Sequence, residues 1–166
     1  MPFYVYYLST RTERSSMGRV NEEVEAENGI VLKYQHHANG RGFVSPKARV
    51  QPSTFVAATA YIEADARIGD NGTIGSGSWI DQGVILGERV FIGQNVHIGR
   101  DTVVGNDVRL GSHSRIGANV RIAGGMRIDA DAQVADGSVL GSVRDSAMPV
   151  KRPAGRTSSY VSDRAA

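Results

Sequence analysis

Histidine, carboxylate, arginine and large aromatic side chains are the groups in this chain with chemistry to offer, and each is sparse enough to be followed individually. Four histidines occur, at 36, 37, 97 and 113, and cysteine is absent. Without thiols there is neither a disulfide framework nor a thiolate metal site, so stability must come from packing. A neutral imidazole accepts a proton near neutral pH, and a neighbouring carboxylate fixes its tautomer and steadies the cation that forms. His97 and Asp81, sixteen residues apart, are such a pair if the fold brings them together. Trp79 and Tyr61 offer planar rings that can stack a flat group. Arg115 offers a guanidinium that can hold an anion.

The elements that must position these residues are announced by a repeat. From Val44 to Asp145 the chain runs as seventeen six-residue phrases without an insertion, from VSPKAR and VQPSTF to VADGSV and LGSVRD, each opening with Val, Ile or Leu. Helical spacing would set apolar residues three and four apart, and simple strand alternation two apart; six is the smallest unit holding a short strand plus a turn. The opening aliphatic points inward. The fifth position, mostly Ala, Ser, Thr or Val, also points inward near a corner and must be small. Glycine, asparagine and aspartate crowd the second to fourth positions, where the chain turns.

These phrases resemble the hexapeptide-repeat, left-handed parallel β-helix superfamily, whose pattern is aliphatic, small, two variable, small, variable. The resemblance implies an all-β fold, a triangular solenoid with three phrases per coil, nearly six coils, and frequent assembly into homotrimers. Many members are acyltransferases, some are zinc carbonic anhydrases, and others only build or bind. With three phrases per coil, each residue stacks on the one eighteen positions later, and the residues flanking each inward aliphatic point outward. One wall then displays the column Phe43, Tyr61, Trp79, His97, Arg115, Gln133, flanked by Ser45, Glu63, Asp81, Gly99, Gly117, Ala135. Asp81 falls one coil from His97 and two positions along, within reach of its ring. Glu63 stacks on Asp81, a carboxylate pair expected to be solvated.

This wall supports two readings. Its aromatic strip, Phe43, Tyr61 and Trp79 with His97, is the surface of a trimer interface. Under the acyltransferase alternative, the superfamily's active sites lie in clefts between neighbouring solenoids, and the same wall is a site: His97 as general base, Asp81 orienting it, Arg115 on an anion, Trp79 and Tyr61 as a stacking platform, and acetyl-CoA or another acyl-CoA as donor. Gly99 and Gly117 would leave a slot beside His97.

Several features depart from the superfamily's acyltransferases. No extruded loop interrupts the phrases to cover a donor. The sugar-nucleotide enzymes place a catalytic histidine third in its phrase, where Ser112 stands here; His113 is one position later and is expected to be a solvated turn residue. The ending GSVLGSVRDSAMPVKRPAG, with Lys151 and Arg152 positioned for a phosphate, matches the family's closing phrase only loosely. A zinc site of the carbonic-anhydrase kind needs three converging histidines, and only His97 and His113 lie in the repeat, so no metal is expected.

Residues 1–43 lie outside the repeat. FYVYYL and GIVLKY are β-rich runs, with NEEVEAENG reading as an acidic turn between them, and together they predict a β-rich cap over the first coil or a segment docking it to a larger assembly. Residues 146–166 form a polar C-terminal tail. Sixteen of the 19 basic residues are arginine, and Arg109, Arg115, Arg121 and Arg127 close four consecutive phrases, yet the net charge is only +2 and nearby aspartates neutralise the girdle. Nucleic-acid binding is not expected. The start lacks the marks of a signal peptide and no apolar run is long enough to span a bilayer, predicting a soluble protein, with cytoplasmic and virion-associated settings both open. The first functional reading is a non-catalytic trimeric solenoid serving structure, assembly or binding, with no cofactor; the alternative is the acyl-CoA-dependent acyltransferase, and a zinc carbonic-anhydrase-like enzyme is the remotest.

Overall fold

In the computed structural model, residues 21–25 and 31–141 are described. Every phrase of the repeat contributes a two-residue strand, made of the outward residue before the aliphatic and the aliphatic itself, and four residues that turn the corner. Seventeen such strands run from Phe43–Val44 to Val139–Leu140 and sort into three parallel sheets, one per wall. Phe43 pairs beside Tyr61 and Tyr61 beside Trp79, which sets the coil at eighteen residues. The result is a left-handed parallel β-helix of five complete coils and two walls of a sixth, with no helix among the described residues.

Burial follows the phrase. The aliphatics stack on one another through the interior, with Ile62, Ile80, Ile98 and Ile116 at 2% exposure or less on one wall. Small fifth-position residues fill the corners. Where these are hydroxylated inside the stack, the residue is buried and its oxygen bonded: Thr54 donates to the Gly69 carbonyl at 2.6 Å, Ser78 to Gly93 at 2.8 Å and Thr102 to Gly117 at 2.8 Å. Among the described residues no buried side-chain N or O lacks a partner. The fourth position adopts a left-handed backbone with φ near +60° in most coils, which explains its Asn and Asp: Asn71, Asn95, Asp101, Asp107, Asn119 and Asp131 all sit there. Arg89 is an unusual occupant, and its guanidinium grips Asp107, one coil on, through two hydrogen bonds of 2.7 and 2.9 Å.

The first coil is extended by a hairpin. Val31–His36 runs antiparallel to Phe43–Val44, and Asn21–Glu25 runs antiparallel to Val31–His36, so wall one continues beyond the solenoid's end. Two strands before the repeat thus extend wall one, and NEEVE is a strand where its composition suggested a turn. The edge of Val31–His36 would otherwise present unpaired N–H and C=O groups, and a five-residue partner satisfies them. FYVYYL lies outside the described residues. At the opposite end Ile128, Val134 and Leu140 are only half-buried, because no further coil is stacked on them among the described residues. Residues beyond 141, including Lys151, Arg152 and the predicted tail, also lie outside the described residues.

Because each aliphatic supports those of both neighbouring coils, truncating one mid-stack leaves a cavity that cannot collapse. Ile98→Ala is expected to cost about 2–5 kcal/mol, measured by urea unfolding.

Candidate functional site on the aromatic wall

Parallel, in-register stacking turns wall one into columns. Phe43 and Tyr61 stack with centroids 4.7 Å apart, and Tyr61 and Trp79 with centroids 5.2 Å apart. His97 follows Trp79 in register and Arg115 follows His97. The flanking column brings Asp81 into the coil before His97, and the imidazole Nε2 lies 3.3 Å from the Asp81 carboxylate. The His97 side chain is 51% exposed and that of Asp81 29%, so the pair is accessible while its carboxylate is partly shielded. With Nε2 protonated the ring donates to Asp81 and keeps Nδ1 as its acceptor, the state a general base requires.

Beside this pair is an open depression of about 700 Å³, lined by Asp81, His97, Gly99, Arg100, Arg115 and Gly117, with Gln133 and Asp136 at its far edge. The slot expected at Gly99 is enforced by the coil spacing: a Cβ there would lie 2.6 Å from the Ala118 amide nitrogen. Arg100 was missed in the sequence because it occupies a turn position; the signal was that it immediately follows Gly99 of the flanking column. The depression extends from His97 toward Arg115, away from Trp79, so the two arginines border it while the aromatic rings stand on the other side of His97.

Glu63 is not the solvated carboxylate its sequence suggests. It is 7% exposed and accepts a 2.7 Å hydrogen bond from the hydroxyl of Tyr34, which is 2% exposed and comes from the cap hairpin. Tyr34 also meets Tyr61 and Phe43 edge-on, at 5.6 and 6.4 Å. Burial pushes the Glu63 carboxyl above its ordinary range; the Tyr34 hydrogen bond opposes that shift and the Asp81 charge reinforces it. Burial, more than the bond to Glu63, carries the Tyr34 hydroxyl well above the ordinary tyrosine range.

The remaining candidates are dispersed. Phe43 is 7% exposed within the single chain, and Tyr61 and Trp79 are half-buried, so the aromatic wall is less open than its composition implies. Among the described residues the exposed large apolar side chains are Ile85, Val103 and Val139 on the second wall and Phe55 and Phe91 on the third. His113 stands exposed at a corner with φ of +62°. His36 and His37 lie at the first coil, within hydrogen-bonding distance of the Arg41 and Thr54 carbonyls. Among the described residues no three His, Asp or Glu side chains are grouped closely enough to hold a metal ion, and no helix is long and apolar enough to cross a membrane.

Fold and repeat together define a hexapeptide-repeat left-handed β-helix. The chain belongs to the family described as the GMPPB C-terminal domain, whose model matches residues 44–144. No curated protein matches the sequence. Among solved structures, the perosamine N-acetyltransferase PerB of Caulobacter crescentus, solved with CoA and GDP-perosamine, is 26% identical with a TM-score of 0.58, covering 59% of this chain and 47% of that one. The acetyltransferase domain of PglB from Neisseria gonorrhoeae is 19% identical with a TM-score of 0.59, covering 60% and 48%. AntD, an N-acyltransferase from Bacillus cereus, is 15% identical with a TM-score of 0.50, covering 60% and 72%. The chain thus spans about half the length of PerB and of the PglB acetyltransferase domain.

Burial of Glu63 has a stability cost with a definite sign. A carboxyl whose folded-state value is raised binds its proton more tightly when folded, so its contribution is most favourable in acid and is lost as pH rises through the raised value. Glu63→Gln keeps an acceptor for Tyr34 and removes the charge. Its urea midpoint at pH 7 should exceed that of the parent, and the gain should vanish below the ordinary carboxylate range.

Proposed function

We propose that the protein is an acyl-CoA-dependent acyltransferase that works as a homotrimer. The observation that carries this reading is the His97–Asp81 contact at the rim of a depression bordered by Arg100 and Arg115. PerB, similar in fold and 26% identical, was solved with CoA and an amino-sugar nucleotide, which supports a CoA thioester as donor and an amine as acceptor. In this reading His97 takes a proton from the acceptor nitrogen as it attacks the thioester carbonyl. The carbon–sulfur bond then breaks, and the leaving thiolate recovers the proton from the imidazolium. Asp81 steadies that cation. Arg115 and Arg100 hold anionic groups of donor or acceptor, and Trp79 with Tyr61 offers a stacking face. Exposed Ile85, Val103, Phe55 and Phe91 supply apolar surface for neighbouring protomers to cover.

A second reading keeps the solenoid as a non-catalytic assembly component. It is favoured by coils that run from Phe43 to Gly141 with no extruded loop to cover a donor.

The two readings part in an acetyl-transfer assay with acetyl-CoA and a panel of amino-sugar nucleotides. His97→Ala is expected to lower kcat by about 100-fold or more with the oligomer intact by light scattering, and Asp81→Asn to lower it less. Equal rates in parent and His97→Ala would remove the catalytic role, and an oligomer that dissociates on this substitution would favour the interface reading.

A further inference from the structure

The hairpin and the depression are joined by a line of polar groups across wall one. Tyr34, from the hairpin, donates to Glu63 at 2.7 Å; Glu63 stacks in register on Asp81; and Asp81 meets the His97 ring at 3.3 Å. Each link is fixed by the fold. Glu63 and Asp81 continue adjacent in-register strands, and their amides donate to the Ile80 and Ile98 carbonyls at 2.9 and 3.0 Å. Tyr34 is locked edge-on against Phe43 and Tyr61.

A buried carboxylate beside a second carboxylate is a costly arrangement, and a glutamine would make the same bond to Tyr34 at lower cost. Stability therefore does not account for Glu63. What glutamine could not supply is negative charge behind Asp81. We infer that Glu63 is a positioning residue for the His97–Asp81 pair, and that Tyr34 makes the N-terminal hairpin part of the site and not merely its cap. The Glu63 carboxylate adds to the field that favours the protonated imidazole. It also keeps Asp81 turned toward His97, because like charges in adjacent coils are driven apart. The Tyr34 hydroxyl holds Glu63 in place and opposes the upward shift that burial imposes on its carboxyl.

The charged groups facing His97 from its neighbouring strands are Asp81 on one side and Arg115 on the other, with Arg100 at the edge of the depression. Asp81 and Glu63 are acidic and the arginines basic, so removing Glu63 alone changes the field at the ring with one sign.

This assignment rests on His97 being the working base, but its test does not require turnover. The His97 Hε1 resonance is followed by NMR from pH 5 to 8.5 in the full chain. Glu63→Gln should lower the His97 midpoint, and Tyr34→Phe should move it in the same direction by less. A midpoint unchanged in Glu63→Gln overturns the inference whatever the transfer assay shows. Should that variant fail to fold, Tyr34→Phe decides alone, and an unchanged midpoint there is equally fatal. If the midpoint shifts as expected but His97→Ala leaves transfer unaffected, the coupling stands and the acyltransferase reading falls.

Discussion

The structure depends on one constraint: every coil must place its aliphatic directly over the aliphatic of the coil before. Two strand residues per wall give each coil few hydrogen bonds of its own, so pairing is cooperative along the stack, as in other repeat architectures. The consequences reach outside the core. Since Ile62, Ile80, Ile98 and Ile116 are held in register, the residues before and after them are held too. A solenoid that fixes its interior therefore writes straight columns of side chains on its surface, and two polar groups sixteen residues apart become neighbours at 3.3 Å.

Against that regular background the informative positions are those where polar groups enter protected space. Core hydroxyls such as Ser78 and Thr102 belong to the scaffold, because each is satisfied by a backbone carbonyl of its own corner stack. Glu63 is different. Its partner, Tyr34, comes from outside the repeat, and its neighbour, Asp81, contacts the only histidine whose ring borders the depression on wall one. The first wall thus grades from aromatic and buried at Phe43 to charged and open at Arg115. A ligand at His97 would meet stacked rings on one side and guanidinium groups on the other.

The six-residue period made a short strand plus a turn legible, while three phrases per coil came from the resemblance to the hexapeptide-repeat superfamily, and the pairing of Phe43 with Tyr61 agrees with it. The His97–Asp81 contact was legible through the same resemblance, since it follows from the register of an eighteen-residue coil. What the sequence hid depends on objects the repeat does not describe. Tyr34 precedes the repeat, and nothing in GIVLKY tells that its tyrosine will reach Glu63; burial of Glu63 was invisible for that reason. The NEEVE strand was hidden by its acidic composition, which argues for a turn until an unpaired edge is available to it. Arg100 was hidden because it occupies a turn position, although a long side chain at a corner can border the depression on the neighbouring wall.

The central claim, that this β-helix uses the His97 depression to work on an acyl thioester, is tested most directly by titrating acetyl-CoA into the purified full-length chain in a calorimeter, with its mass measured by light scattering. Saturable micromolar binding by a trimer, weakened when Arg115 is replaced by alanine, is the result the account requires. A trimer or larger assembly that takes up no acetyl-CoA at millimolar concentration would contradict it and leave a solenoid built for assembly alone.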